Sequence, residues 1–405
     1  MTNLSKPKIR RRLVIGCSSP PDTGSGISTY SKEISIAFSK AGFEVVYVSP
    51  SPQDFSWIRE NSLIHWATEP ASDQKKTTTE ILQLLKAAPV LSIINNDNPV
   101  LQGLAPFVDC SFLCVAHLDA YAIASLASLN SQWCDYTIAI SHDMQKHFVN
   151  HKNLPLTSVP IIHNGIGEGK PDLKPAGSKS TAPLKVICAS EYSKRKGGDK
   201  IYLLCKKICS TSAQMQVEWY ADIPSRQKTI LERNNNIRIK GRVERSVLLE
   251  SLRGADVLLF ASRREGCPML VLEALSCGIL PILSDGIGAM RWMINPGIEG
   301  YICSIRHWPT EALNCLQELE RNRTKLASMR QAALDRYRRE FKIDRVVRDF
   351  LTLIETPRVQ RATKPSEIRI PAWHRYDPIR YPASLSDRIL WRIGKLKYVG
   401  TIRET

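Results

Sequence analysis

Short apolar runs alternate with longer amphipathic stretches along most of this chain. Residues 13–19, L-V-I-G-C-S-S, form an apolar run ending in small residues, which predicts a first buried strand. The next stretch carries Ile27, Tyr30, Ile34 and Phe38 at helical spacing, with Gly42 where a helix would turn. Val45 to Val48 then read as a second strand. V-L-S-I-I-N-N-D, F-L-C-V-A-H and Y-T-I-A-I-S are further apolar runs, separated by segments long enough for helices. Strands that lack polar alternation and take turns with helices predict a parallel sheet covered on both faces.

From Gly165 the texture changes to G-I-G-E-G-K-P-D-L-K-P-A-G-S-K-S-T-A-P, which predicts a linker or exposed loop. Apolar runs then resume: L-K-V-I-C-A-S, M-Q-V-E-W-Y-A, I-R-I-K-G, D-V-L-L-F-A-S, I-L-P-I-L-S and G-Y-I-C. A polar helical stretch from about Thr310 to Thr356 follows. The expected division is a first α/β domain over 1–165, a linker over 166–182, a second α/β domain over 183–335, a helix over 336–356 and a tail over 357–405. The tail is basic and interleaved with Trp373, Tyr376, Tyr381, Trp391 and Tyr398. Its segment L-S-D-R-I-L-W-R-I-G-K-L-K-Y-V-G fits either a short amphipathic helix lying on an anionic membrane or a tail packed across its own domains.

A length of 405 residues agrees with two domains rather than one core. The net charge of +17 favours an anionic partner: a membrane surface, nucleic acid, an acidic polymer or a phosphorylated small molecule. Charge alone does not choose among these. The 11 cysteines include no C-x-x-C pair, so reduced, buried thiols are expected rather than a zinc site or a disulfide framework. The basic start M-T-N-L-S-K-P-K-I-R-R-R is followed by too short an apolar run for a signal segment, and no run approaches the roughly 18–20 apolar residues of a membrane span. A cytoplasmic protein, peripheral on the membrane at most, is the expectation.

The chemistry concentrates in R-E-G-C-P-M-L-V-L-E-A-L-S-C-G, Arg264 to Gly278. Pro268 suits the first helical position and Gly278 the C-terminal cap, so the segment reads strand, loop, helix, strand. The loop Glu265-Gly266-Cys267 falls at the carboxyl edge of a strand, where α/β folds bind ligands. Free amides and the helix dipole make an anion site there, and Gly266 lets a phosphate approach the backbone. Glu265 stands at its mouth; Glu273 lies roughly 7–8 Å further along the axis at ~1.5 Å per residue. Carboxylates repel anionic oxygens but accept hydrogen bonds from hydroxyls. A ligand with hydroxyls at both ends and phosphates between them fits, and a nucleotide sugar is such a ligand.

This block resembles the E-x7-E signature of retaining glycosyltransferases of family 4. The family's order is kept by G-S-G-I-S-T-Y (Gly24 to Tyr30), I-I-H-N-G-I (Ile161 to Ile166), R-K-G-G-D (Arg195 to Asp199) and the two Asp-before-strand runs W-C-D-Y-T-I-A-I-S and G-A-D-V-L-L-F-A-S. The resemblance spans roughly residues 13 to 355 and implies the GT-B fold, two Rossmann-like doubly wound domains facing across a cleft. It implies that Glu273 holds the donor ribose and Glu265 the hydroxyls of the donor sugar. By the same resemblance the amides of Cys267, Met269 and Leu270 contact sugar and diphosphate. Lys196 neutralises the diphosphate, while Gly24 and Gly26 bring backbone against the phosphate. His117 matches a loop histidine facing the transferred sugar. Two positions depart from the family pattern. Glu191, after Ser190, stands where relatives carry arginine, with Arg195 or Lys194 as substitutes; Trp292 stands where many carry glutamate.

No D-x-D occurs, so metal-independent transfer is expected, with no cofactor beyond the nucleotide sugar as substrate. The resemblance implies retention at the anomeric carbon, in polysaccharide or glycolipid biosynthesis, with a saccharide or lipid-linked acceptor. Asp97 and Asp119 sit at loop positions suited to orienting an acceptor hydroxyl or to forming turns. Three other readings compete. One is a nucleotide-sugar epimerase of the same fold. A nicotinamide dehydrogenase is disfavoured by Thr29 in G-S-G-I-S-T and by Ser49-Pro50 at the end of the second strand. The third is a silent basic scaffold binding membrane or nucleic acid; no specific nucleic acid is expected.

Overall fold

The computed structural model describes residues 11–21, 25–50, 55–68, 74–117, 121–171, 173, 182–212, 214–356, 365–371 and 398–403. Two compact units emerge, one drawn from the described parts of Met1–His163 and Val346–Thr405, the other from Asn164–Arg345.

In the first unit the chain runs β1 (Arg12–Cys17), α1 (Gly26–Lys40), β2 (Glu44–Ser49), α2 (Ser56–Glu60), β3 (Ile64–Ala67) and α3 (Gln74–Ala87). It continues through β4 (Ser92–Asn96), α4 (Pro99–Leu104), β5 (Ser111–Ala116), α5 (Tyr121–Ser128), β6 (Tyr136–Ala139) and α6 (His142–Lys152). The strands form one sheet in the order β3-β2-β1-β4-β5-β6, every pair parallel. Burial explains the apolar runs. Leu13, Val14, Ile15, Val45, Val46, Ile93, Ile94, Phe112 and Leu113 are all fully enclosed. The α1 residues at helical spacing behave as predicted: Tyr30, Ile34 and Phe38 are buried, Gly42 takes φ +93° in the turn, and Ser25 caps the start by accepting the Ser28 amide at 3.2 Å.

The second unit runs β7 (Leu184–Cys188), α7 (Gly198–Cys209), β8 (Met215–Trp219), α8 (Ser225–Leu231), β9 (Ile237–Ile239), α9 (Arg245–Arg253) and β10 (Val257–Phe260). Then come β11 (Arg264–Glu265), α10 (Met269–Ser276), β12 (Leu280–Ser284), β13 (Ile287–Gly288), α11 (Met290–Met293), β14 (Tyr301–Cys303), α12 (Trp308–Arg321) and α13 (Arg323–Glu340). Its sheet, ordered β14-β12-β10-β7-β8-β9, is again wholly parallel. Trp219 and Trp308 fill the core; their indole N–H groups donate to Ser190 and Leu283 carbonyls, both at 3.1 Å, so neither buries an unmade hydrogen bond. In each sheet the strand order reverses beside the first strand, between β1 and β4 and between β7 and β10. Doubly wound sheets bind ligands at such switch points.

The two Asp-before-strand patterns have one structural cause. Asp135 accepts the Phe112 amide at 2.7 Å and donates its own amide to the Phe112 carbonyl at 2.9 Å. Asp256 does the same with Lys185, at 3.0 and 2.9 Å. Each aspartate thus closes the first rung between two parallel strands.

The polar helical stretch resolves into α12, α13 and α14 (Ile343–Glu355), with a break at Phe341-Lys342 where the chain bridges to Ile166. In the first unit α14 packs Phe350 against Phe38, ring centroids 6.4 Å apart. The tail differs from its reading at one end. Tyr398 to Gly400, expected at the end of a basic helix, belong to β16 (Tyr398–Arg403), paired antiparallel with β15 (Glu367–Pro371). β-branched residues on both strands, Ile368 in register with Ile402 and Ile370, Val399 and Thr401 beside them in sequence, outweigh the helical pattern there. This pair packs on α3 and α4. Trp373, Tyr376, Tyr381, Trp391 and the rest of the helix segment lie outside the described residues. All 11 cysteines are free, and none is exposed.

Candidate functional site

β10 and the β11–β13 pair set the first part of the site. Arg264 pairs with Ile287 and Glu265 with Gly288, which carries Glu265 to the carboxyl edge of the sheet. Glu265 is 8% exposed. Its Oε1 accepts from Lys196 Nζ at 2.7 Å and from Ser262 Oγ at 2.7 Å, with Arg195 Nη1 at 3.7 Å. Two hydrogen-bond donors meet on this one oxygen, with the Arg195 guanidinium beside them.

The turn carrying Lys196 is built by its neighbours. Gly197 has φ +73°, and a Cβ there would stand 1.9 Å from the Ala261 carbonyl oxygen, so only glycine lets this turn press on the end of β10. The Arg263 amide donates to the Arg195 carbonyl at 2.8 Å. Arg263 also grips Asp199 with two hydrogen bonds of 2.7 Å and reaches the Lys194 carbonyl. The Asp199 carboxyl is held below its usual range, chiefly by those hydrogen bonds from Arg263.

Pro268 is the N-cap of α10 rather than its first helical residue. Its ψ of 114° is extended, and its carbonyl accepts the amides of Val271 at 3.1 Å and Leu272 at 3.4 Å. The amides of Met269 and Leu270 therefore fall in the turn that has no intrahelical acceptor. Gly266 and Cys267 are buried beside them. Burial pushes the Cys267 thiol up to about 12, which keeps it a neutral packing group. The Cys267 carbonyl accepts from Asn164 Nδ2 at 3.3 Å, so the Asn-Gly turn holds this loop within the second unit. At the other end of α10, Gly278 takes φ +64°, and the Gly278 and Ile279 amides bond back to Leu275 at 3.0 Å and Ala274 at 2.9 Å.

Glu273 answers the question posed by a carboxylate in an apolar run. It is 3% exposed, and Oε1 is paired with the Arg245 guanidinium from the first turn of α9. The surrounding apolar positions of α10 (Val271, Leu272, Ala274 and Leu275) are fully enclosed. Arg245 thus permits a buried anion within α10.

The remaining candidates belong to the first unit. Gly26 opens α1; Gly24 and Asp119 lie outside the described residues. His117 follows β5, with Nε2 3.1 Å from Asn96 Oδ1 and its ring 4.9 Å from that of Tyr30. Burial lowers the imidazole to about 3, so it is neutral at physiological pH. The His117 amide donates to Asp97 Oδ2 at 3.3 Å. Burial raises the Asp97 carboxyl to about 8. Among the described residues, the titratable groups that interact with it are the neutral thiols of Cys17 and Cys114 and the neutral His117. A carboxyl raised on folding gives stability that is complete below about pH 4 and is lost as pH rises to about 8. Asp97→Asn removes that loss. Melting curves should show a gain of about a few degrees at pH 8 and none at pH 4.

Neither departure from the family pattern enters these contacts. Glu191 is exposed on the turn after β7. Trp292 packs its ring 6.3 Å from Phe341 and accepts Arg336 Nη2 on its carbonyl at 3.0 Å. The sequence reading did not find Ser262, Arg245 or the Asn164 contact. Ser262, last residue of D-V-L-L-F-A-S at a strand's carboxyl edge, carried a usable signal; Arg245 and Asn164 reach their partners only through the fold.

Residues 170–336 match the family described as Glycosyl transferases group 1. A stretch of 119 residues is 27% identical to the N-acetyl-alpha-D-glucosaminyl L-malate synthase of Bacillus anthracis, covering 28% of this chain and 31% of that protein. The aligned stretch thus spans under a third of that relative's length. Among solved structures, the chain is similar to a glycosyltransferase from Rickettsia africae (TM-score 0.66, 14% identity, 86% of this chain and 98% of that one). It is also similar to Anabaena Alr3699/HepE in complex with UDP and glucose (TM-score 0.66, 14% identity, 85% and 100%). TarM gives a TM-score of 0.69 at 10% identity over 87% and 100%. At these identities the likeness establishes the fold: two Rossmann-like parallel-sheet domains of the GT-B class.

Proposed function

We propose that the chain, whose residues 170–336 form a glycosyl transferases group 1 domain, moves a sugar from a nucleoside-diphosphate donor to a hydroxyl of a saccharide or lipid-linked acceptor. One observation carries this reading: the start of α10 lies between two buried carboxylates, each neutralised by a basic side chain of its own unit. The helix amides and Lys196 take the diphosphate, Glu265 the sugar hydroxyls and Glu273 the ribose. Lys196 is the residue that offsets charge developing on the leaving phosphate. In the transfer the bond from anomeric carbon to phosphate oxygen breaks, and the acceptor oxygen bonds to that carbon from the same face. The acceptor proton passes to the leaving phosphate, so configuration is retained without a protein nucleophile. Because a lysine and helix amides face the phosphates, no divalent ion is required for donor binding. The complex of Alr3699/HepE with UDP and glucose supports this class of ligand.

The test is a panel of nucleoside-diphosphate sugars with and without EDTA, read by release of the nucleoside diphosphate. Slow hydrolysis of one donor, surviving EDTA, is the expected result. Absence of hydrolysis, transfer and binding across the panel would leave the basic scaffold in its place, and epimerised sugar would show the epimerase.

The same reading places the basic tail against an anionic membrane. Among the described residues no helix is long and apolar enough to cross one. Replacing Arg388, Arg392, Lys395 and Lys397 with glutamine removes four charges, each worth about 1 kcal/mol near an anionic surface. Sedimentation with phosphatidylserine vesicles should fall at least about tenfold; equal sedimentation would refute a membrane role.

A further inference from the structure

We propose that Cys303 on β14 and Cys315 on α12 are a dithiol modification site, joined reversibly into an intramolecular disulfide by exchange with a small disulfide. The inference stands apart from the transfer chemistry and uses none of the residues placed around the donor.

A ladder of contacts joins β14, an edge strand of the second sheet, to α12. Tyr301 Oη donates to Glu318 Oε2 at 2.9 Å, and the Ser304 amide donates to Glu311 Oε2 at 2.7 Å. Between these rungs the Cys303 and Cys315 thiols hydrogen-bond to each other. The rungs run 301, 303, 304 along the strand and 318, 315, 311 along the helix, so each lies about one helical turn from the next. The register of the two sulfurs is thereby held from both sides. Lys325 braces the outer rung, its Nζ 2.5 Å from Glu318 Oε1 and 5.6 Å from the centroid of the Tyr301 ring.

The two thiols are not equivalent. Cys303 is 3% exposed and belongs to the apolar core, whereas Cys315 is half-buried at its margin. The hydrogen bond from Cys303 holds the Cys315 thiol below its usual range and pushes the Cys303 thiol up. The sulfur that solvent reaches is thus the one whose thiolate is favoured, and a second thiol already touches it. Cysteines that meet in a core are otherwise inert packing groups. Cys188 and Cys205 are such a pair: they interact, but both are fully enclosed, so an oxidant reaches neither.

The exchange balances without a metal or a further reductant. The Cys315 thiolate attacks one sulfur of the small disulfide, the S–S bond breaks, and the departing thiolate takes up a proton. The Cys303 thiol then gives up its proton and attacks the Cys315 sulfur of the mixed disulfide, expelling the second small thiol. Two protein thiols are oxidised to one disulfide, and one small disulfide is reduced to two thiols. The new bond straps the edge strand to α12 across the short loop 303–315. The Cys303 carbonyl already accepts the Asp285 amide at 2.9 Å, so the strap also steadies the segment between β12 and β13.

The test holds the full chain, folded and reduced, in excess oxidised glutathione, quenches with N-ethylmaleimide and digests with trypsin. Cleavage after Arg291, Arg306 and Arg321 leaves Cys303 and Cys315 as the single cysteines of peptides 292–306 and 307–321. Those two peptides should be recovered joined, and dithiothreitol should part them. The melting temperature of the oxidised protein should rise by about 5 °C, the gain from closing a short loop. Cys303→Ser should stop at glutathione on Cys315, Cys315→Ser should leave Cys303 unmodified, and neither should gain melting temperature. Unjoined peptides from the oxidised wild-type protein would overturn the proposal. So would glutathione that stays on Cys315 in the wild type, or adducts on the half-buried Cys134 and Cys209 in place of the link. A joined pair with a lowered melting temperature would also overturn it, because the bond would then form against the fold. Each result reads the same whether or not the chain turns over a nucleotide sugar.

Discussion

Lys196→Met should lower kcat about 10²–10³-fold, the cost of removing one charge aimed at a developing oxyanion. The argument starts from geometry within the second unit. Lys196 Nζ is 2.7 Å from Glu265 Oε1, held by a turn that Gly197 alone allows against Ala261. The ammonium is therefore fixed before any donor arrives, and no reorganisation is needed as the phosphate bond breaks. Arg195 is the contrasting control. Its guanidinium is half exposed and 3.7 Å from the same oxygen, so Arg195→Met should cost under about tenfold. Ser262 keeps its hydrogen bond to Glu265 in both variants, which preserves the loop. Steady-state kinetics on the donor found by hydrolysis decides the matter. Equal, small losses in the two variants would show that Lys196 is a surface partner of Glu265 and nothing more.

Arg330→Met should destabilise the protein by about 3–5 kcal/mol, the range for breaking a buried ion pair from one side. Arg330 on α13 is 5% exposed. It donates to the Gly278 carbonyl at 2.7 Å and to Asp256 Oδ1 at 2.8 Å. The first contact puts a cation at the carboxyl end of α10, where the helix dipole favours one. The second neutralises the aspartate that closes the β7–β10 rung through the Lys185 amide. One residue thus ties α10, the central strands and α13 together. Urea denaturation measures the loss; a shift below about 1 kcal/mol would place Arg330 among surface pairs.

These contacts show which parts of the site the sequence could disclose. The Arg264–Gly278 block was legible because everything it needs is local: an apolar strand, a proline at the helix start, a left-handed glycine at its end. Pro268 moved by one position because its ψ is extended, a property that residue type alone does not fix. Arg245 was not legible. It opens a different helix, and only the fold sets its guanidinium on Glu273. Asn164 likewise reads as a turn residue until its carboxamide meets the Cys267 carbonyl. Both Asp-before-strand motifs were seen as family marks, whereas their cause is a reciprocal rung that involves strands distant in sequence. Among strands, β3 escaped notice because I-H-W-A is only partly buried, and β11 and β13 because two residues carry no period. The helix reading of the tail gave way at Tyr398 to Gly400, where basic residues and β-branched ones overlap and β-pairing won.

The central claim is that a buried carboxylate on α10 reads the ribose of a bound nucleotide. The direct measurement is calorimetric binding of the nucleoside diphosphate identified by the donor panel, and of its 2′,3′-dideoxy form, to wild-type protein and Glu273→Gln. Two hydrogen bonds to a charged group are at stake, so the dideoxy form should bind wild-type protein about 10²-fold or more weakly. In Glu273→Gln that penalty should shrink to less than about tenfold, since an amide offers one weaker acceptor. An undiminished penalty in the variant would contradict the account, because the ribose would then be read by some other group.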